Sequence, residues 1–259
     1  MQPVLREVSA RLSHALIALD FDGTLAPIVS DPSTSRPLPG AVEALSTLAA
    51  AGVQIAIVTG RDAHTVLGLG GLHDIPRLRV SGLHGAETWH EGQLETRDEP
   101  AGIAQLRGTL PALLAAEHPS IWLEDKRLSL VVHTRQAPDP DAALRSLEPD
   151  VRRLAGEQGL DVHPGKLVLE IRIPDLSKAD AVELLLAEHT SAAIFAGDDL
   201  GDLPAFEAVR SWGERTGRPA VTISVGEVAE VCDAAQVPLA TPAELTELLA
   251  ELAATAGRG

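Results

Sequence analysis

Apolar and polar positions along the chain fall into two alternating rhythms. Short apolar runs that stop at a polar residue or a glycine, "HALIALD" (14–20), "VQIAIVTG" (53–60), "RLRVSGLHG" (77–85), "AAIFAGDD" (192–199) and "AVTISVG" (220–226), read as buried strands. Between them, "GAVEALSTLAAAG" (40–52), "SKADAVELLLAEH" (177–189) and "LPAFEAVR" (203–210) repeat apolar residues at three and four, the period of a helix with one buried face. The alternation predicts a doubly wound, Rossmann-like α/β core in which helices cover a parallel sheet. Gly52 is placed to end the first helix and Ser177 to cap the second.

From about Gly102 to Ile173 the order changes to helix, strand, strand, helix, strand, strand. "SIWLEDK" with "LSLVVHTR" and "LDVHPGK" with "LVLEIRI" read as two hairpins, each preceded by a helical run. This predicts an inserted α+β cap: residues 1–99 and 174–259 form the core and residues 100–173 the cap.

Composition narrows the picture. With 259 residues, 45% of them hydrophobic, the chain can close a sizeable core, but only 2% are aromatic and none is Tyr, so stacking platforms for bases are scarce. Thirty-seven acids against 21 bases give a net charge of −16, and no basic run tracks a phosphate backbone, which argues against nucleic acid as a partner. An acidic chain that handles a small anion must gather positive charge locally, from a metal ion, a lysine or a helix N-terminus. The single Cys232 cannot form an internal disulfide and is expected to be a small buried hydrophobe. No apolar stretch is long enough to cross a membrane, and the expectation is a cytoplasmic monomer without a membrane partner.

Ligands of open α/β sheets bind beyond the carboxyl ends of the strands. The residues there are Asp20 and Asp22, then Thr59, Gly60 and Arg61, then Asp198 and Asp199 with Asp202 close behind. Carboxylates gathered at one edge stay ionised only when something positive neutralises them, and oxygen donors without a His or Cys cluster suit Mg²⁺ better than Zn²⁺. Period-two alternation sends Asp20 and Asp22 to one side and Phe21 to the other, while Gly23 is expected to allow a tight turn where a side chain would crowd a phosphate. Taken singly, each acid is an ordinary turn former and Lys178 a solvated lysine; it is their joint placement that carries the functional reading.

In this order "DFDGT" (20–24), "TG" (59–60), Lys178 and "GDD" (197–199) resemble the four motifs of haloacid-dehalogenase-type phosphatases. The resemblance implies Asp20 as nucleophile, forming an aspartyl phosphate, and Asp22 as general acid and base, with a carboxyl protonated at the outset. It implies Thr59 as a hydrogen-bond donor to the phosphoryl group and Lys178 as the bridge between phosphate and nucleophile. The implied metal ligands are Asp20, the backbone carbonyl of Asp22, and Asp198, with Asp199 and Asp202 acting through water.

"LAPIV", "GLHGAE", "WLEDKRLSLVVHTR", "PGKLVLEIR" and "GDDLGDLPAFEAV" resemble trehalose-6-phosphate phosphatases, from about Leu16 to Val225. That family would make the chain the hydrolase of the last step of trehalose biosynthesis, working beside a trehalose-6-phosphate synthase. It implies Glu124, Lys126 and Glu170 on glucose hydroxyls, Arg135 near the phosphate or the entrance, and His84 with Arg61 as core-side contacts. His133 and Lys166 rank below them, and His163 and the remaining histidines are expected at the surface. Departures are Ala179 after the lysine, where the family commonly has Gly, and "LGDLPAF" in the fourth motif, which alters the acids around Asp199 and Asp202. Alternatives left open are a phosphatase for sucrose or mannosyl-glycerate phosphates, a receiver-like phosphorylation switch, and a silent sugar-phosphate-binding domain.

Overall fold

The computed structural model describes residues 2–117, 119–174, 177–186 and 189–257. Its chain divides into two compact units, Met1–Glu95 with Ser177–Gly259, and Thr96–Leu176. The strands in chain order are β1 (Leu16–Leu19), β2 (Gln54–Val58), β3 (Arg79–Gly82), β4 (Glu87–His90), β5 (Gln93–Thr96), β6 (Trp122–Asp125), β7 (Leu130–His133), β8 (Asp161–Gly165), β9 (Val168–Arg172), β10 (Ala193–Gly197), β11 (Ala220–Val225) and β12 (Val237–Leu239).

The first unit holds a sheet in the order β12-β11-β10-β1-β2-β3-β4-β5. The run from β12 to β3 is parallel, and its central strands β1 and β10 are apolar at every position because helices cover both faces. Ile17, Leu19, Ile55 and Ile57 point into one core with Leu45 and Leu48 of helix Ala41–Ala50 and Leu249 of helix Pro242–Ala256. Leu16, Ala18, Ala56 and Val58 point into the other, with Val182 of helix Lys178–Leu185 and Phe206 of helix Leu203–Thr216. Each such Leu, Ile, Val or Phe side chain contributes about 1.5–3 kcal/mol by leaving water.

The sheet is not wholly parallel, as the alternation had implied. After β3, Leu83 and His84 both take left-handed backbone (φ 48° and 56°), and the chain returns as β4 antiparallel to β3. No Asn-Gly or Asp-Gly pair marks that reversal, so it carried no turn signal. Cys232, expected in the core, is half-buried, its thiol donating to the Gly226 carbonyl at 3.4 Å.

The second unit is a four-stranded antiparallel sheet, β6-β7-β9-β8. Helices Ala101–Glu117 and Pro140–Glu157 supply Ile103, Leu106, Leu110, Leu147 and Val151 to a core shared with Leu130, Val132, Leu169 and Ile171. Alternation along these strands puts Trp122, Glu124, Val131, His133, His163 and Glu170 together on the opposite face.

Candidate active site

The carboxyl ends of β1 and β10 lie side by side, because the strands pair in register with Leu19 opposite Ala196. The Asp20 N–H continues that ladder by donating to the Ala196 carbonyl at 2.9 Å, which fixes the Asp20 backbone as firmly as the strand itself. Gly23 turns at φ +85°, and a Cβ there would fall on the Asp198 carboxylate. The glycine is therefore required by the neighbouring strand's acid, a closer constraint than the phosphate expected from sequence. At Gly197 a Cβ would likewise fall on Asp202.

Lys178 opens its helix behind a capping box in which Ser177 and Asp180 each bond the other's backbone N–H. The cap aims the lysine inward, where its ammonium, 5% exposed, donates to Asp202 Oδ1 at 2.6 Å and stands 3.0 Å from Asp20 Oδ1. Asp202 is fully buried, and its second oxygen accepts from the backbone N–H groups of Asp198 (2.9 Å) and Asp199 (3.1 Å). Thr24 donates its hydroxyl to Asp198 Oδ1 at 3.1 Å.

Asp20, Asp198 and Asp202 each offer a carboxylate oxygen, and these lie within 4.8 Å of one another. Three carboxylates facing one ammonium leave two negative charges, the deficit a divalent cation fills. The titration of the group reflects that deficit. Burial, opposed by the Lys178 charge and reinforced by Asp198, pushes the Asp20 carboxyl up to about 7. Burial, opposed by Lys178 and reinforced by Asp20 and Asp199, pushes Asp202 up to about 7. Asp198 rises to about 6, through burial and then the charges of Asp202 and Asp199. Burial by itself would lower the Lys178 ammonium, but Asp20, Asp202 and Asp199 outweigh it and hold the ammonium above the ordinary lysine range. An all-oxygen donor set with a charge deficit of this size fits a hard cation such as Mg²⁺.

The two acids expected to act through water stand in different places. Asp202 is the direct partner of Lys178. Asp199 is exposed, and its side chain accepts from the Gly201 N–H at 2.8 Å, capping the short turn Leu200–Asp202. The "DDLGD" spacing held the signal for both: the first residue of such a turn caps it and the fourth points back at the strand end.

Asp22 differs from its expected setting as well. Its carboxylate accepts from Arg61 Nε (2.5 Å), from a terminal guanidinium nitrogen of Arg61 (2.7 Å) and from the Ser35 hydroxyl (3.1 Å). Arg61, assigned to the substrate, is thus committed to Asp22, and its guanidinium lies 5.8 Å from the Phe21 ring centroid. Thr59 is buried at the end of β2, its hydroxyl accepting from the Arg61 N–H at 3.2 Å. The His84 ring lies over Gly60, its Nε2 2.9 Å from where a Cβ would stand.

In the second unit, Glu124 and His133 are joined at 2.8 Å, and His133 stacks on Trp122 with ring centroids 4.4 Å apart. Glu170 accepts from the Ser129 hydroxyl at 3.1 Å, opposite Val131 on one side and His163 on the other. Lys126 is half-buried in the β6–β7 turn, its N–H bonded to the Ser129 carbonyl, and Arg135 is exposed. His163, expected at the surface, is half-buried on this sheet face. Sequence reasoning passed over Trp122 and ranked His133 low; their places on paired strands, two residues either side of the Glu124–Val131 pair, were the available signal.

Residues 18–241 match the family model described as trehalose-phosphatase. The chain belongs to the trehalose-phosphatase family. A trehalose-phosphate phosphatase of Mycobacterium avium (strain 104) is 32% identical over 260 residues, which cover 95% of this chain and 64% of that protein. The chain thus spans just under two thirds of that relative's length. The crystal structure of a trehalose-6-phosphate phosphatase related protein superposes with a TM-score of 0.70 at 26% identity, covering 94% of this chain and 99% of that one. A haloacid dehalogenase-like hydrolase from Bacteroides thetaiotaomicron shares the fold, with a TM-score of 0.69 at 15% identity over 92% of this chain and 99% of that one. Within the trehalose-phosphatase fold of this chain, Asp20, Asp198, Asp202 and Lys178 form one cluster, with Thr59 and the Asp22–Arg61 pair on neighbouring strand ends.

Proposed function

We propose that this trehalose-phosphatase is a Mg²⁺-dependent phosphomonoesterase that hydrolyses trehalose 6-phosphate through an aspartyl phosphate on Asp20. The observation that carries the reading is the buried ammonium of Lys178 held between Asp20 and Asp202 at the sheet edge. Such an ammonium orients the Asp20 carboxylate and offsets charge on an incoming phosphoryl group.

Asp20 attacks phosphorus through one carboxylate oxygen, and the bond from phosphorus to the sugar oxygen breaks with its electron pair going to that oxygen. Asp22, once released from Arg61 and Ser35, takes a proton from solvent and gives it to the departing oxygen. Water then attacks phosphorus, Asp22 takes its proton, and the Asp20 carboxylate leaves with the electrons of the acyl phosphate bond. Thr59 donates a hydrogen bond to a phosphoryl oxygen. A divalent cation held by Asp20, Asp198 and the backbone carbonyl of Asp22 supplies charge neutralisation when bound. Glu124, Lys126 and Glu170 accept from or donate to the sugar hydroxyls, Arg135 takes the phosphate end, and His84 is a second contact from the core unit. Among the described residues no helix is long and apolar enough to cross a membrane. In this reading the chain works in the cytoplasm, beside a synthase that furnishes the sugar phosphate.

The test is phosphate release with Mg²⁺ from trehalose 6-phosphate, sucrose 6-phosphate, glucose 6-phosphate and mannosyl-phosphoglycerate. Asp20→Asn is run in parallel, and should lose about four orders of magnitude or more of turnover. Preference for a different sugar phosphate overturns the substrate and keeps the nucleophile. Turnover surviving in Asp20→Asn overturns the nucleophile.

A further inference from the structure

At the opposite edge of the large sheet, where the parallel strands begin, lies a cavity of about 200 Å³. His14, Arg77, Arg79, His90 and His189 line it together with Gln54. His189 precedes β10, His14 precedes β1, Gln54 opens β2, Arg79 opens β3 and His90 closes β4, so five neighbouring strands contribute one side each. Asp20 is six residues along the chain from His14, which separates this edge from the carboxylate cluster by roughly 20 Å of extended chain.

Among the described residues the lining contains no acid, in a chain whose net charge is −16. Arginines left near the surface of an acidic protein ordinarily find carboxylates, yet Arg79, half-buried at the start of β3, makes no ion pair or hydrogen bond through its guanidinium among the described residues. Arg77 spends one guanidinium nitrogen on the Ala49 carbonyl at 2.9 Å, leaving other donors unspent. His90 bonds the Leu78 carbonyl through Nδ1 at 3.2 Å, which makes Nδ1 the donor and turns Nε2 outward, and the nearest acid, Glu91, stands 3.9 Å from Nε2.

The arrangement is held by backbone bonds. The His14 N–H donates to the Gly52 carbonyl (3.3 Å), its carbonyl accepts from the Ser191 N–H (3.0 Å), and Gln54 N–H donates to the Ala15 carbonyl (2.8 Å). The His14 turn is thereby wedged between the start of β2 and the approach to β10. Such a cavity is smaller than the roughly 300–1,000 Å³ of sites that enclose drug-sized ligands, and its cationic groups are spread along the strand starts, more than one phosphate can reach.

We propose that this cavity is a binding site for a small oligophosphate, either free or carried on a nucleotide, distinct from the carboxylate cluster and independent of the hydrolytic reading. The guanidiniums of Arg77 and Arg79 grip phosphate oxygens in the paired geometry that guanidinium offers, and the imidazoles extend the contact to a second or third phosphate.

The test is calorimetric titration of the metal-stripped full chain with inorganic tripolyphosphate, orthophosphate and ATP near neutral pH. The expected result is one saturable site per chain that takes tripolyphosphate at least about tenfold more tightly than orthophosphate. Arg77→Ala, at an exposed position, and Arg79→Lys, which keeps the charge and loses the fork, should each weaken it about tenfold without lowering the melting temperature. Asp20→Asn should leave it unchanged. ATP matching tripolyphosphate assigns the grip to the phosphates, and ATP binding more tightly adds a base contact. Absence of saturable binding, loss of binding in Asp20→Asn, or an equal loss in Arg153→Ala on helix Pro140–Glu157 of the second unit overturns the proposal.

Discussion

Lys178 is the residue on which the carboxylate cluster turns, because it is the cation that Asp20 and Asp202 share. Replacing it by Met leaves those two carboxylates buried without a counter-charge, and such a loss costs about 3–5 kcal/mol. Urea denaturation of Lys178→Met should show that loss near pH 8 and a smaller one near about pH 5, where protonation neutralises the stranded acids. The intact protein has a related pH dependence. Asp20 and Asp202 titrate at about 7 and Asp198 at about 6 in the folded chain, against about 3.9 when unfolded. The folded state thus binds more protons than the unfolded one between those values, so metal-free stability should fall as pH rises from about 4 to about 7 and level off above. Lys178, raised above its ordinary range, contributes stability that is full below its unfolded pKa and lost only in strong alkali. Adding Mg²⁺ should restore stability most above pH 7 or so, where the three acids are ionised, and a melting series with and without Mg²⁺ reads both slopes.

At the scale of elements, each side chain of the carboxylate cluster is aimed by a terminus. The turn after β1 needs Gly23, and the turn after β10 needs both Gly197 and the cap made by Asp199. Gly23→Ala should abolish Mg²⁺-dependent stabilisation, since its Cβ displaces the Asp198 carboxylate. Asp199 and Asp202 stand three residues apart in one turn and should behave oppositely. Asp199→Ala removes a cap, worth about 0.5–2 kcal/mol, and should retain most phosphate release. Asp202→Ala should lose phosphate release and Mg²⁺ stabilisation together, because it frees Lys178 and the two N–H groups it binds. Equal activity in the two variants would refute the separate roles given to them.

At the scale of the whole molecule, the cores of the two units divide the work. Leu169 lies fully buried in the core of the second unit and Leu45 in that of the first. Leu169→Ala and Leu45→Ala should each cost about 2–5 kcal/mol in the unit that contains them. Mg²⁺-dependent stabilisation should survive Leu169→Ala, while hydrolysis of a sugar phosphate falls with heating well before the metal response does. Calorimetry that shows Leu169→Ala abolishing the Mg²⁺ response at low temperature would contradict the independence of the two cores.

The sequence by itself determined the elements and the chemistry at their ends. Full burial forces apolar runs at β1, β2 and β10, and a run that halts at "DFDGT" or "GDD" announces its own chemistry, because a carboxylate at the end of a buried strand is a local fact. Only the tertiary structure decided what those groups touch. That Arg61 holds Asp22, that Asp202 and not Asp199 faces Lys178, and that Glu124 meets His133 are distances between residues far apart in the chain or turned by a single cap. Strand register and the cap at Asp199 set them, and neither leaves a mark in local hydrophobic periodicity. The basic cavity is the extreme case. His14, Arg79, His90 and His189 are scattered over 175 positions with no shared motif, and they meet because the parallel strands of one sheet begin at the edge where antiparallel β4 ends.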